Sequence, residues 1–134
     1  MEKYQGFINK LNQIQAKKLA VVGSRTFDQE ERVKKELKYV VDNTLIDTIV
    51  SGGAKGVDTF AEIWADENGL KKIIYPAQWD KFGRSAGYRR NVDIVENADA
   101  ILVFWKEGSA GTKHTIEIAK KEDKPLFVNH LVIN

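Results

Sequence analysis

The stretch Ser51-Gly52-Gly53-Ala54-Lys55-Gly56-Val57-Asp58 is where residue type and spacing point most directly to chemistry. It follows an apolar run, Ile46 to Val50 interrupted by Asp47 and Thr48, and opens an amphipathic one. This order predicts strand, glycine-rich turn and helix. Glycine lets backbone come close to a ligand because no Cβ intervenes. A helix start adds unpaired N–H groups and the positive end of the dipole. The chemistry suited to such a turn is anion capture, phosphate above all. Candidate contacts are Ser51, the amides of Gly52, Gly53, Ala54, Lys55 and Gly56, and the Lys55 charge. Asp58, in the first helical turn, either accepts ribose hydroxyls or complements the dipole.

Two further junctions have the same form. Gly23-Ser24-Arg25 follows the apolar run ending at Val22, and Arg25 suits bidentate contact with phosphate. Gly108-Ser109-Ala110-Gly111-Thr112 follows Ala100 to Trp105 and leads into a helical pattern. Thr112 is there an N-cap, a phosphate contact or both, and His114 faces the same space. Asn91 shares a helical stripe with Val95 and Ala98. A buried amide without a partner costs about 1–3 kcal/mol, so Asn91 must bond loop backbone or ligand. Arg84 and Arg90 flank the pocket if the segment 77–87 folds over it. Trp79 and Phe82 read as aromatics that anchor that long segment to the core. Should the site carry out chemistry, Asp58, His114 and Glu117 are the candidate acid–base groups.

Several classes are disfavoured. The chain has no cysteine and two histidines, which argues against thiolate or histidine-built metal sites. A Walker loop needs Lys-Ser/Thr after its last glycine, where Val57 stands. The dinucleotide fingerprint has Ser51 for its first glycine and lacks the ribose-binding acid, since the next strand runs into Pro76-Ala77-Gln78. No cofactor is expected. The 21 basic and 19 acidic residues give a net charge of +2, too little to demand nucleic acid, whose phosphates call for clustered Lys and Arg. Nucleic acid is therefore expected to be an unlikely partner. Met1 to Lys18 is polar and no apolar run reaches membrane-spanning length, so a cytoplasmic protein without a membrane partner is expected.

Apolar periodicity supplies the elements that carry these loops. Strands are predicted near 18–23, 46–51, 72–76, 99–105 and 125–129, with helices near 28–42, 57–69, 87–98 and 111–122. The segment 76–87 shows no regular pattern. Continuous apolar strands alternating with helices predict an α/β fold with a parallel sheet covered on both faces. In such a sheet all three loops lie at the carboxyl ends of the strands. Residues 1–16 form a separate amphipathic helix, and 17–134 a single domain. Phe7, Leu11 and Ile14 on that helix have no obvious place in a minimal sandwich, so that face must be buried on the domain itself or on a symmetry mate, and a homodimer is expected.

Gly23-Ser24-Arg25-x-Phe27, the Ser51–Asp58 block, Trp79-x-x-Phe82-Gly83-Arg84-x-Ala86-Gly87-x-x-Arg90-Asn91 and Gly111-Thr112 resemble the YspA/YpsA-related branch of the SLOG superfamily. DprA-like and LOG proteins are its more distant relatives. The resemblance covers about Lys18 to Val128. It implies a Rossmann-like three-layer sandwich with a five-stranded parallel sheet of order 3-2-1-4-5. It also implies binding of a phosphorylated nucleoside or other nucleotide-derived small molecule, as a sensor or a sequestering module. A nucleotide hydrolase is the alternative, and DprA-like nucleic-acid binding a lesser one. LOG enzymes carry Gly-Gly-x-Gly-Thr-x-x-Glu; here Ser109 interrupts the glycines and Thr115 stands at the glutamate position. Glu117, two residues on, lies roughly 200° round the helix from that position.

Overall fold

The computed structural model describes residues 1–106 and 108–131; the last three residues of the expected 17–134 domain lie outside that range. Five parallel strands form one sheet: β1 (Lys18–Gly23), β2 (Thr48–Ser51), β3 (Lys71–Ile74), β4 (Ala100–Lys106) and β5 (Leu126–Leu131). Their order is β3-β2-β1-β4-β5. The helices are α1 (Gln5–Gln13), α2 (Glu30–Asp42), α3 (Val57–Glu67), α4 (Trp79–Phe82), α5 (Ala86–Glu96) and α6 (Ala110–Lys121). This is the α/β Rossmann-like sandwich with its additional N-terminal helix.

Alternation along the central strands builds two cores. Leu19 and Val21 of β1, with Leu102 and Phe104 of β4, face Val33, Leu37, Val57 and Ala61 of α2 and α3. Ala20, Val22, Ile101 and Val103 point the other way, against Ile94, Val95, Ile116 and Ala119 of α5 and α6. Both faces of β1 and β4 are thus covered, which is why their sequences read as unbroken apolar runs.

The N-terminal helix joins the first core. Tyr4, Phe7, Ile8 and Leu11 are buried, and the Tyr4 ring lies 4.4 Å from that of Phe127. The Tyr4 hydroxyl donates to Glu36 Oε1 at 2.7 Å and accepts from Asn129 Nδ2 at 2.8 Å. Lys3 and Arg32 complete the charge balance around Glu36. Burial would raise the Glu36 pKa, but the hydrogen bonds from Lys3, Tyr4 and Arg32 outweigh it and hold the carboxyl below its ordinary value. Of the two ways to bury that face, the chain uses its own domain. Phe7 and Leu11 are covered by the chain itself, and of the three residues only Ile14 stays exposed.

The segment 76–87 also differs from expectation. It contains the single turn α4 followed by a 3-10 turn, Gly83–Ser85. One turn is too short to imprint a helical period on the sequence.

Candidate functional site

The order 3-2-1-4-5 reverses direction at β1, so the crevice beyond the carboxyl ends of β1 and β4 is the topological switch point of the sheet. A cavity of about 560 Å³ lies there. The β1–α2 loop contributes Gly23, Ser24, Arg25 and Thr26; the β4 end and β4–α6 loop contribute Lys106, Gly108, Ser109, Gly111 and Thr112. Ala54 and Asp58 come from the β2–α3 turn, and Trp79, Arg84, Tyr88, Arg90 and Asn91 from the segment covering the opening.

The loops hold one another by backbone and hydroxyl contacts. Ser24 Oγ donates to the Lys106 carbonyl at 3.1 Å and accepts the Lys106 N–H at 2.8 Å, tying the β1 and β4 ends together. A Cβ on Gly23 would sit 2.5 Å from Val57 Cγ2 and collide with the Phe104 carbonyl. Glycine there is a packing requirement.

The β2–α3 turn is organised differently from a vacant phosphate cradle. Asp58 Oδ2 accepts the Ala54 N–H at 3.2 Å, and Ser51 Oγ accepts the Gly53 N–H at 3.4 Å while donating to Glu62 Oε2 at 2.6 Å. The anion at this helix start is the chain's own carboxylate. Arg90 Nη1 donates to the Gly52 carbonyl at 2.5 Å and Arg90 Nε to Asn91 Oδ1 at 3.2 Å. Burial pushes the Asp58 pKa up to about 6, against the lowering effect of the Ala54 N–H and the Arg90 charge. Burial also lowers that of Arg90; Asp58 opposes this, and the nearby Arg25 adds to it.

Asn91 Nδ2 reaches the Gly111 carbonyl and His114 Nδ1, each at 3.2 Å. The amide therefore bonds loop backbone, one of the two partners expected for it. Ser109 and Thr112 pair at 2.8 Å between hydroxyls, and Thr115 Oγ1 donates to the Gly111 carbonyl at 3.2 Å.

Ten of the sequence-derived site residues line the cavity: Gly23, Ser24, Arg25, Ala54, Asp58, Arg84, Arg90, Asn91, Gly111 and Thr112. Ser51, Gly52, Gly53, Lys55 and Gly56 shape the turn behind Asp58 without lining it. His114 lies to one side, edge-on to Tyr88 with centroids 4.4 Å apart. Glu117 is exposed on α6. Of the three acid–base candidates, Asp58 alone lines the cavity. Trp79 corrects the core-anchor reading: it is 53% exposed and borders the opening. Lys106, Thr26, Ser109 and Thr115 were not foreseen as lining residues. Lys106 carried a readable signal, a cation one step past an apolar strand, as Arg25 is past Gly23 and Ser24.

Comparison with known proteins places this geometry. The Gene 61 protein of Mycobacterium phage D29 is 33% identical over 85 residues, 59% of this chain and 68% of that protein. Among solved structures, DprA from Helicobacter pylori, described for its single-stranded DNA binding mode, matches with a TM-score of 0.67. Identity there is 22% over 97% of this chain and 70% of that one. DprA from Streptococcus pneumoniae also gives 0.67, at 28% identity, with 84% of this chain covering half of that protein. The likeness to DprA overturns the expectation that nucleic acid is an unlikely partner. Net charge misled because a sum carries no positions: Arg25, Arg84, Arg90 and Lys106 gather at one cavity. The model of the YspA, cpYpsA-related SLOG family matches residues 9–82, more than half of the sequence, and the chain belongs to that family.

Proposed function

We propose that the protein binds a nucleotide unit in the cavity between the β1 and β4 ends, with phosphate at the rim. The observation that carries this reading is the separation of chemistry within one cavity. Among the described residues Arg25, Arg84 and Lys106 make no salt bridge and stand around the opening, whereas the one carboxylate lining the cavity, that of Asp58, is buried at the floor. The start of α6 adds its dipole on the same side. Trp79 and Tyr88, both about half exposed, offer flat apolar surface for a base beside those cations.

The same features favour a second occupant, a nucleotide within single-stranded DNA. Aromatic platforms interleaved with cations on an open surface are what sequence-tolerant strand binding uses, and the fold is shared with DprA proteins.

Removing a charge-assisted contact costs about 1.5–3 kcal/mol. Arg25→Ala is therefore expected to weaken binding roughly 10- to 100-fold. Calorimetry with mononucleotides and with an oligothymidylate, at two salt concentrations, checks this and separates the occupants. A single phosphate gives a shallow salt dependence, a strand a steep one. No binding to any of these ligands refutes the reading.

A further inference from the structure

We propose that Asp58 is a specificity-determining residue that selects a base presenting paired N–H donors, which among the common bases is guanine. The inference rests on the nucleotide reading above and names which part of the nucleotide reaches the floor. Asp58 is 5% exposed yet lines the cavity, and among the described residues it is the one acidic side chain that does so. Several of its polar neighbours are already engaged. Arg90 holds the Gly52 carbonyl and Asn91 Oδ1, Asn91 Nδ2 holds the Gly111 carbonyl, and Ser24 is bonded twice to Lys106 backbone. One oxygen of Asp58 takes the Ala54 N–H. The Gly52 N–H also supports this carboxylate, and its remaining lone pairs are the acceptors at the floor.

An ionised carboxylate only accepts hydrogen bonds, and at pH 7.5 this one is ionised, its pKa lying at about 6. Whatever reaches it must donate. Phosphate, itself an anionic acceptor, is repelled and stays with the cations at the rim. A ribose would bring several hydroxyl and ether oxygens against Val22, Ile94 and Ala54, where the engaged groups leave them unsatisfied. A flat base covers those apolar walls and offers its edge. Guanine presents N1–H and N2–H side by side, a spacing that matches one carboxylate. Adenine and thymine lack that pair.

The test is tryptophan-fluorescence titration of the full chain at pH 7.5 with GMP, dGMP, IMP, AMP and UMP, and the same series on Asp58→Asn. GMP is expected to bind at least 10-fold tighter than AMP or UMP. IMP, which keeps N1–H and lacks the N2 amino group, falls between them, and dGMP matches GMP. Asp58→Asn brings GMP to the level of AMP. Equal affinity for GMP and AMP, or a guanine preference that survives Asp58→Asn, overturns the inference. A loss on removing the 2′-hydroxyl with no base preference overturns it too, in favour of the sugar. Should the variant not fold, the wild-type series decides. Absence of binding by every nucleotide defeats the nucleotide reading itself and this inference with it.

Discussion

Replacing Gly56 by alanine is expected to destabilise the protein by about 3–5 kcal/mol, the sum of a strained backbone and an overpacked site. Gly56 has φ +77° and ψ −126°, a conformation that L side chains rarely adopt. A Cβ there would also lie 2.6 Å from the Arg25 carbonyl oxygen and 2.7 Å from that of Ser24. Both are backbone atoms of the β1–α2 loop, so relief requires that loop to move. The loop carries Arg25 to the rim and seats Phe27 against Phe104, centroids 5.6 Å apart. Nucleotide binding should fall with stability. Gly69 is the control, since it has φ +70° and nothing within 4 Å of its missing Cβ. Gly69→Ala carries the backbone strain alone, about 1–2 kcal/mol. Urea unfolding at pH 7.5 compares the two variants. Equal costs would mean that the packing of the two loops contributes nothing.

That crowding explains part of what the sequence could convey. Three glycine-bearing junctions after apolar runs are local patterns, and the parallel sheet places all three at its carboxyl edge. The strands and every helix but the single turn α4 were legible from periodicity, and the cavity position from those junctions. The Ser51–Asp58 turn was legible as an anion-binding turn, with Asp58 left open between a ligand contact and the anion that complements the helix start. A glycine turn before a helix is equally good for phosphate and for a carboxylate four residues on, and only packing decides. Burial of Asp58 among Ala54, Gly52 and Arg90 is a tertiary fact. The same holds for Trp79, whose size suggests a core anchor while its position on the single turn α4 leaves the ring at the opening. The N-terminal helix failed in the opposite sense. Its apolar face had no receiver nearby in the sequence because Phe127 and the Tyr4–Glu36–Asn129 bonds that hold it lie up to 125 residues away.

The buried Asp58 should also make stability depend on pH in a way that a single substitution isolates. Burial pushes its pKa from the ordinary 3.8 of an aspartate in the unfolded chain up to about 6 in the folded one. A carboxyl whose folded pKa is raised favours the folded state only while protonated. Its contribution is complete below about pH 4 and is lost as pH rises through about 6. A change of that size corresponds to roughly 3 kcal/mol. Glu36 works in the other direction, because its lowered pKa gives stability that is present above the ordinary carboxylate range and fades as pH falls. The total pH profile is therefore blunted, and the difference between two profiles is the informative quantity. Asp58→Asn keeps Glu36 and every other titrating group while removing this one. Between pH 4 and pH 8 the wild type is expected to lose about 2–3 kcal/mol relative to Asp58→Asn, whatever fixed cost the amide brings. Denaturant unfolding at five or six pH values measures it. Parallel profiles would place Asp58 in contact with solvent, at odds with its burial. A diverging pair would show that the chain holds an ionised carboxylate at the cavity floor at the expense of its own stability, as expected of a group kept there for a ligand.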